Sequence, residues 1–214
     1  MMMKSALIAL MLVLSLPAMA EDKAATPKID VKAAMADRVL GNPDAPITIY
    51  EYASMTCSHC AAFNKFAMPT VKKDLIETGK AKLVFRDFPL DNYAVKAAAM
   101  ARCAPADKFY PLISMIFNEQ ERWVKTSAPD EAVQKIGALA GMDPDYIKAC
   151  MADEDLKKAM MEAMQDAQKT YAISSTPTFI FKKGEERMTE YPEFTEAIKK
   201  AEAASKAAAE DKHD

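Results

Sequence analysis

Residues 47–63 read ITIYEYASMTCSHCAAF, a β-branched and aromatic run that leads straight into two cysteines two residues apart. ITIYEYA (47–53) has the composition of a strand. From Cys60 to about Thr78 the apolar positions Phe63, Phe66, Val71 and Leu75 fall on one side at helical spacing, and Gly79 supplies a stop. Pro69 lies inside that span and predicts a kink. AKLVFRDFPL (81–90) reads as a second strand, ended by Pro89. Strand, helix, strand is the parallel βαβ unit. It places Cys57 and Cys60 in the first turn of the connecting helix, with Cys57 at or before its first residue.

The rest of the chain builds on that unit. From Tyr93 to about Met151 the pattern is helical, with runs at 94–104, 106–118 and 130–140 and a short helix beginning near Asp143. A long helix over 153–171 carries Leu156, Met160, Met164, Ala167 and Tyr171 as its apolar stripe. PTFIFKKGEERMTEY (177–191) reads as a hairpin turning at 182–185, and 192–205 as a closing helix. The fold class is therefore α/β: a mixed sheet flanked by helices, its first part at 37–91, a helical insertion at 92–151 and its second part at 152–206. Residues 21–36 show no period and read as a flexible leader, and 207–214 as a polar tail.

The first twenty residues have another purpose. Lys4 precedes an apolar run, Ala6 to Leu16, and Pro17 precedes Ala18-Met19-Ala20, a small-x-small cleavage site. This is the layout of a secretory signal peptide cleaved after Ala20. The run is too short for a bilayer span, which takes about 20 residues. Export lets disulfides form and persist, and all four cysteines follow the cleavage site. With a net charge of −3 and a pI near 5.6, the chain offers no attraction to phosphate backbones, which excludes nucleic-acid binding.

A close cysteine pair can serve a metal, a staple or electron transfer. Structural zinc takes four ligands, but Cys103 and Cys150 lie far apart and the only histidine besides His59 is His213 in the tail. A staple across two residues removes little chain entropy. Reversible redox chemistry suits the spacing. Unpaired N–H groups at a helix start favour a thiolate at Cys57, His59 beside it adds to the effect, and Cys60 is the resolving partner. A stabilised thiolate favours the reduced pair and makes the disulfide the stronger oxidant. The methionines raise copper as a ligand, but Met160 and Met164 fit the core stripe. Glu51 shares a face with Ile47 and Ile49 by the period of two, a costly place for an acid without a task.

YEYASMTCSHCAAF (50–63), LVFRDFPL (83–90), ARC (101–103) and SSTPTFIF (174–181) together resemble the DsbA-like thiol–disulfide oxidoreductases of the thioredoxin superfamily, over about residues 38–200. The resemblance implies a thioredoxin-like fold with an inserted helical domain. It implies Cys57 as nucleophile, Cys60 as resolving cysteine, and Ser58 and His59 as the pair that tunes potential; many relatives have proline where Ser58 stands. It makes Pro177 a cis-proline facing the CxxC, with Thr176 offering its backbone to an unfolded substrate strand. Glu51 matches a buried acid that takes protons from Cys60, and Cys103 and Cys150 match a second, structural disulfide. Met55 lies where it can line a substrate surface. No cofactor and no metal is implied. The expected activity is donation of disulfides to reduced, unfolded secreted proteins in the periplasm by a monomer that a membrane partner reoxidises. An isomerase or reductase kept reduced, and a metal-holding thiol module without turnover, are the alternatives.

Overall fold

The structure, a computed structural model, describes residues 27–210. The stretch read as a signal peptide (1–20), the start of the expected leader (21–26) and the last four residues of the expected tail lie outside the described residues. Among the described residues five strands, the first being β1 (Val39–Leu40) and the others β2 to β5 as given below, form one mixed sheet in the order β1-β3-β2-β4-β5. The βαβ unit is its centre: β2 (Ile47–Ala53) and β3 (Ala81–Asp87) run parallel, in register from Ile47 opposite Ala81 to Ala53 opposite Asp87. β4 (Thr178–Lys183) pairs antiparallel with the other side of β2, and β5 (Glu186–Met188) returns beside it. β3 ends three residues sooner than its composition predicts, although Phe88 N–H still donates to the Ala53 carbonyl at 2.9 Å.

The connecting helix starts as α2 (Ser58–Ala62), widens into a π-turn over Phe63–Ala67, resumes as α3 (Met68–Val71) and widens again over Lys72–Ile76. The expected disturbance at Pro69 takes this form: a residue without an N–H sits at the start of α3, and the flanking wide turns absorb the lost bond. Gly79, at φ +72°, ends the segment. Ile47 and Ile49 pack beneath this helix with Phe63, Val71 and Leu75, and α10 (Pro192–Glu210) closes the same core through Phe194, Ala197 and Ala201, with Tyr191 just before it. On the opposite face Tyr52 and Ile180 meet Ala167 of α9 (Glu154–Tyr171) and Ile173.

The insertion comprises α4 (Asn92–Arg102), α5 (Phe109–Asn118), α6 (Gln120–Val124), α7 (Pro129–Leu139) and α8 (Pro144–Ala152). α4 is alanine-rich, so neighbours approach closely; a Cβ on Gly137 of α7 would stand 2.6 Å from the Met100 sulfur. This core is continuous with the active end of the sheet, since Ala53, Met55, Cys60 and Phe85 belong to it. Cys103 and Cys150 are bonded across a separation of 47 residues, which contributes about 4 kcal/mol in the chain-entropy model.

Three expectations need correction. The leader is not all flexible: Val31–Met35 form a short helix, α1, capped by Asp30, with Ile29 and Ala34 buried. Five residues are too few to display a period, and packing supplies what propensity does not. A further short strand, β1 (Val39–Leu40), pairs with β3. Beyond it the Tyr110 hydroxyl covers the β3 edge, accepting from Phe85 N–H at 3.1 Å and lying 2.8 Å from the Leu83 carbonyl. The closing helix runs to Glu210, so the tail assigned to 207–214 is helical in its first part.

Candidate active site

β2 delivers the chain to Ser54, Met55 and Thr56, and the helix begins one residue after Cys57. Cys57 is the N-cap of α2, with extended backbone (φ −77°, ψ 118°), and its carbonyl accepts the first helical N–H, from Ala61, at 3.1 Å. The Cys57 thiol donates to the Thr176 carbonyl at 3.3 Å, and the Thr176–Pro177 bond is cis. Residues 119 apart in sequence thus meet at one sulfur. The two cysteines are free thiols, Cys57 partly exposed and Cys60 at 0%.

Their surroundings drive the two thiols apart. Burial opposes ionisation of Cys57, but the Thr176 side chain, the backbone N–H of Cys60, the Cys60 thiol and the backbone N–H of His59 outweigh it and hold Cys57 below its ordinary value. The Thr176 carbonyl accepts S–H and favours the thiol, and the Thr176 hydroxyl is buried without a hydrogen-bond partner. Burial pushes Cys60 far up, only partly offset by the Ser54 backbone, and the neighbouring Cys57 adds to the rise. One thiol ionises readily and the other does not, which is the division that sequential thiol exchange requires.

Ser58 and His59 are exposed. What reaches Cys57 from His59 is the backbone N–H, not the imidazole. Met55 is buried at 1%, beneath the site rather than on a substrate surface. Among the described residues no three His, Cys, Asp or Glu side chains gather as a metal would require.

Glu51 is buried at 2% and opens onto a cavity of about 620 Å3 between the connecting helix and α5, with Asn64, Phe85, Tyr110 and Ser114 in its wall. Burial raises its carboxyl to about 8. No hydrogen bond joins it to either cysteine, so the structure sets Glu51 under the helix without bringing it to the sulfurs. The linkage is definite. Folded Glu51 keeps a proton that the unfolded chain releases above its ordinary carboxylate range, so stability falls as pH rises from about 4.5 to about 8. The slope is on the order of 1.4 kcal/mol per pH unit. Glu51→Gln should flatten it, so urea midpoints of parent and variant should diverge increasingly between pH 5 and pH 8, the variant being the more stable at pH 8.

Two supports escape sequence reading. Gln120, 7% exposed at the start of α6, donates from Nε2 to the Met55 carbonyl at 2.8 Å and to the Cys57 carbonyl at 2.9 Å. A lone glutamine 63 residues from Cys57 carries no periodic signal. The Thr56 hydroxyl donates to Asp91 Oδ2 at 2.6 Å, and Asp91 Oδ1 caps α4 through Ala94 N–H. An Asp before an alanine-rich helical run is an ordinary helix start, but its reach to Thr56 leaves no local signal. Gln120→Leu should lower stability by about 1–3 kcal/mol in urea unfolding, since it strands the Met55 carbonyl beside the CxxC and leaves the Cys57 carbonyl only its helical partner, Ala61 N–H.

Residues 33–200 match the family model described as Thioredoxin. A protein of Rickettsia typhi, named provisionally as a protein-disulfide oxidoreductase, is 30% identical over 157 residues, covering 73% of this chain and 58% of its own length. The chain thus spans under two thirds of the length of the Rickettsia relatives it matches. "Disulfide bond formation protein D" of Bacillus subtilis is 25% identical over 171 residues, covering 76% of this chain and 75% of its own. Among solved structures, Wolbachia pipientis alpha-DsbA1 superposes with a TM-score of 0.67 at 28% identity, over 81% of this chain and 94% of that one. With a matching family model across most of its length and a backbone that superposes on a DsbA structure over 81% of the chain, the chain belongs to the thioredoxin family, among its DsbA-like members.

Proposed function

We propose that this protein is a thiol–disulfide oxidoreductase that donates its Cys57–Cys60 disulfide to reduced, unfolded secreted proteins in the periplasm, as a monomer reoxidised by a membrane partner. The observation that carries this reading is the meeting of Cys57, at the start of α2, with the Thr176 carbonyl beside cis-Pro177. A substrate thiolate attacks Cys57 Sγ, the Cys57–Cys60 bond breaks, and Cys60 leaves with the electron pair and takes up a proton. A second substrate thiolate then attacks the substrate sulfur of the mixed disulfide and expels Cys57 as a thiolate. The substrate loses two electrons and two protons, and the enzyme gains the electrons. Stabilising the departing Cys57 thiolate favours this direction.

The remaining residues have supporting parts in this reading. Glu51, its carboxyl raised to about 8, exchanges the proton of Cys60 through water in the cavity it opens onto and not by direct contact. Ser58 and His59 set the local field at the helix start. Thr176 and Pro177 present backbone to an extended substrate segment, and Leu90 and Tyr93, exposed at 55% and 44% close to Thr56 and Asp91, offer it apolar contact. The test is turnover: at substoichiometric amounts, with an oxidant supplied, the chain should oxidise a reduced unfolded protein for many cycles. Rescue of scrambled disulfides without net oxidation would instead favour an isomerase.

A further inference from the structure

One row of the sheet carries charge that the fold does not use. Lys82 on β3, Thr48 on β2 and Lys182 on β4 are cross-strand partners, and Lys182 in turn faces Arg187 on β5. All four side chains share the face opposite Ile47, Ile49 and Glu51. The row therefore sets three cations along about 14 Å, at the usual strand spacing. Lys182 and Arg187 stand directly opposite, an arrangement that destabilises a sheet. None of the three makes an ion pair among the described residues. Lys82 donates to the Pro43 carbonyl, Lys182 lies 6.0 Å from the Tyr50 ring centre, and Arg187 lies 5.3 Å from that of Tyr171. In a chain of net charge −3 this is not a general basic surface. Edge protection accounts for Arg187 on the outermost strand, but not for Lys182, which has a strand on either side.

We infer that this row docks the protein on a bilayer surface bearing anionic headgroups. The choice of a bilayer over an acidic protein rests on shape. Five cavities of about 300–640 Å3 lie elsewhere on the molecule, and the row is set on the pleated face of the sheet and lines none of these five. A plane of headgroups needs no pocket, and each cation near such a surface strengthens attachment. Tyr50, between Lys182 and Arg86, is the residue type that membrane interfaces favour. The row lies at the start of β2 and the CxxC beyond its end, so docking leaves the cysteines free. The use of such docking rests on the reading that a membrane partner reoxidises the enzyme; the binding itself does not.

The test is co-sedimentation of the chain from Glu21 onward with vesicles of phosphatidylglycerol and phosphatidylcholine in equal parts, and with phosphatidylcholine alone. Binding to the anionic vesicles only, weakening with salt, is expected. Lys182→Gln should reduce partitioning about fivefold, and the triple variant K82Q/K182Q/R187Q on the order of a hundredfold. K73Q/K135Q/K169Q removes the same charge from exposed helical positions and should change partitioning little. No binding by the parent, equal loss in both triple variants, or retention of polyglutamate in place of vesicles would overturn the inference. Oxidation of a soluble reduced protein, assayed in parallel, reports on the proposed function separately: both triple variants should keep it.

Discussion

Cys57→Ser should reduce disulfide transfer to background, and Cys60→Ser should instead accumulate a mixed disulfide with substrate. The asymmetry follows from the site. Cys57 is partly exposed, carries the helix-start N–H groups and sits against Thr176, so it alone can be attacked from outside. Cys60 is fully buried and its thiol is pushed up, so it serves only as the leaving and resolving sulfur. Without Cys60 the first exchange from a mixed disulfide has no internal escape. Each variant is first charged as its mixed disulfide with glutathione, so that a substrate thiolate can displace glutathione at the remaining cysteine, and non-reducing electrophoresis after mixing with a reduced unfolded protein then reads both outcomes. Equal trapping by the two variants would show that the assigned roles are wrong.

Arg102→Ala should cost about 3–5 kcal/mol of stability, measured by urea unfolding, because it leaves a buried carboxylate without its partner. Arg102 and Asp87 have side chains exposed by only 2% and 4%, and Nε donates to Asp87 Oδ2 at 2.6 Å. The same guanidinium donates to the Phe85 carbonyl at 3.0 Å and the Ala36 carbonyl at 3.3 Å, and stacks on the Phe109 ring. It ties the end of β3, the segment after α1 and the last turn of α4 together, one residue before Cys103. The other Asp87 oxygen is buried without a partner, so the pair is already incompletely satisfied. The double change D87L/R102M should therefore recover much of the loss. If the double variant is no better than R102A, packing and not charge dominates this site.

The centre of the fold was legible because its signals are local. ITIYEYA, a helical apolar stripe and AKLVFRDF each declare themselves within a few residues, and the parallel crossover follows from their order. The helix start at Cys57 was legible for the same reason. What the sequence did not disclose depends on distance or on very short elements. α1 and β1 are too brief for any period, and both hold because other parts of the chain cover them. Gln120 acts on Cys57 only because α5 turns into α6 under the active-site loop, a tertiary fact with no local trace. Glu51 shows both sides: its face followed from the period of two, but the cavity it opens onto is walled by α5 and the connecting helix, which no local pattern joins. Thr176 and Pro177 became site residues through resemblance, since no pattern in SSTPTFIF points across 119 residues to a sulfur.

The most direct test of the account is the pH dependence of Cys57 alkylation in the reduced chain, read by mass spectrometry, with a free cysteine peptide titrated alongside. The account predicts a midpoint for Cys57 below that of the peptide, with Cys60 unreactive throughout. A midpoint at or above that of the peptide would contradict it.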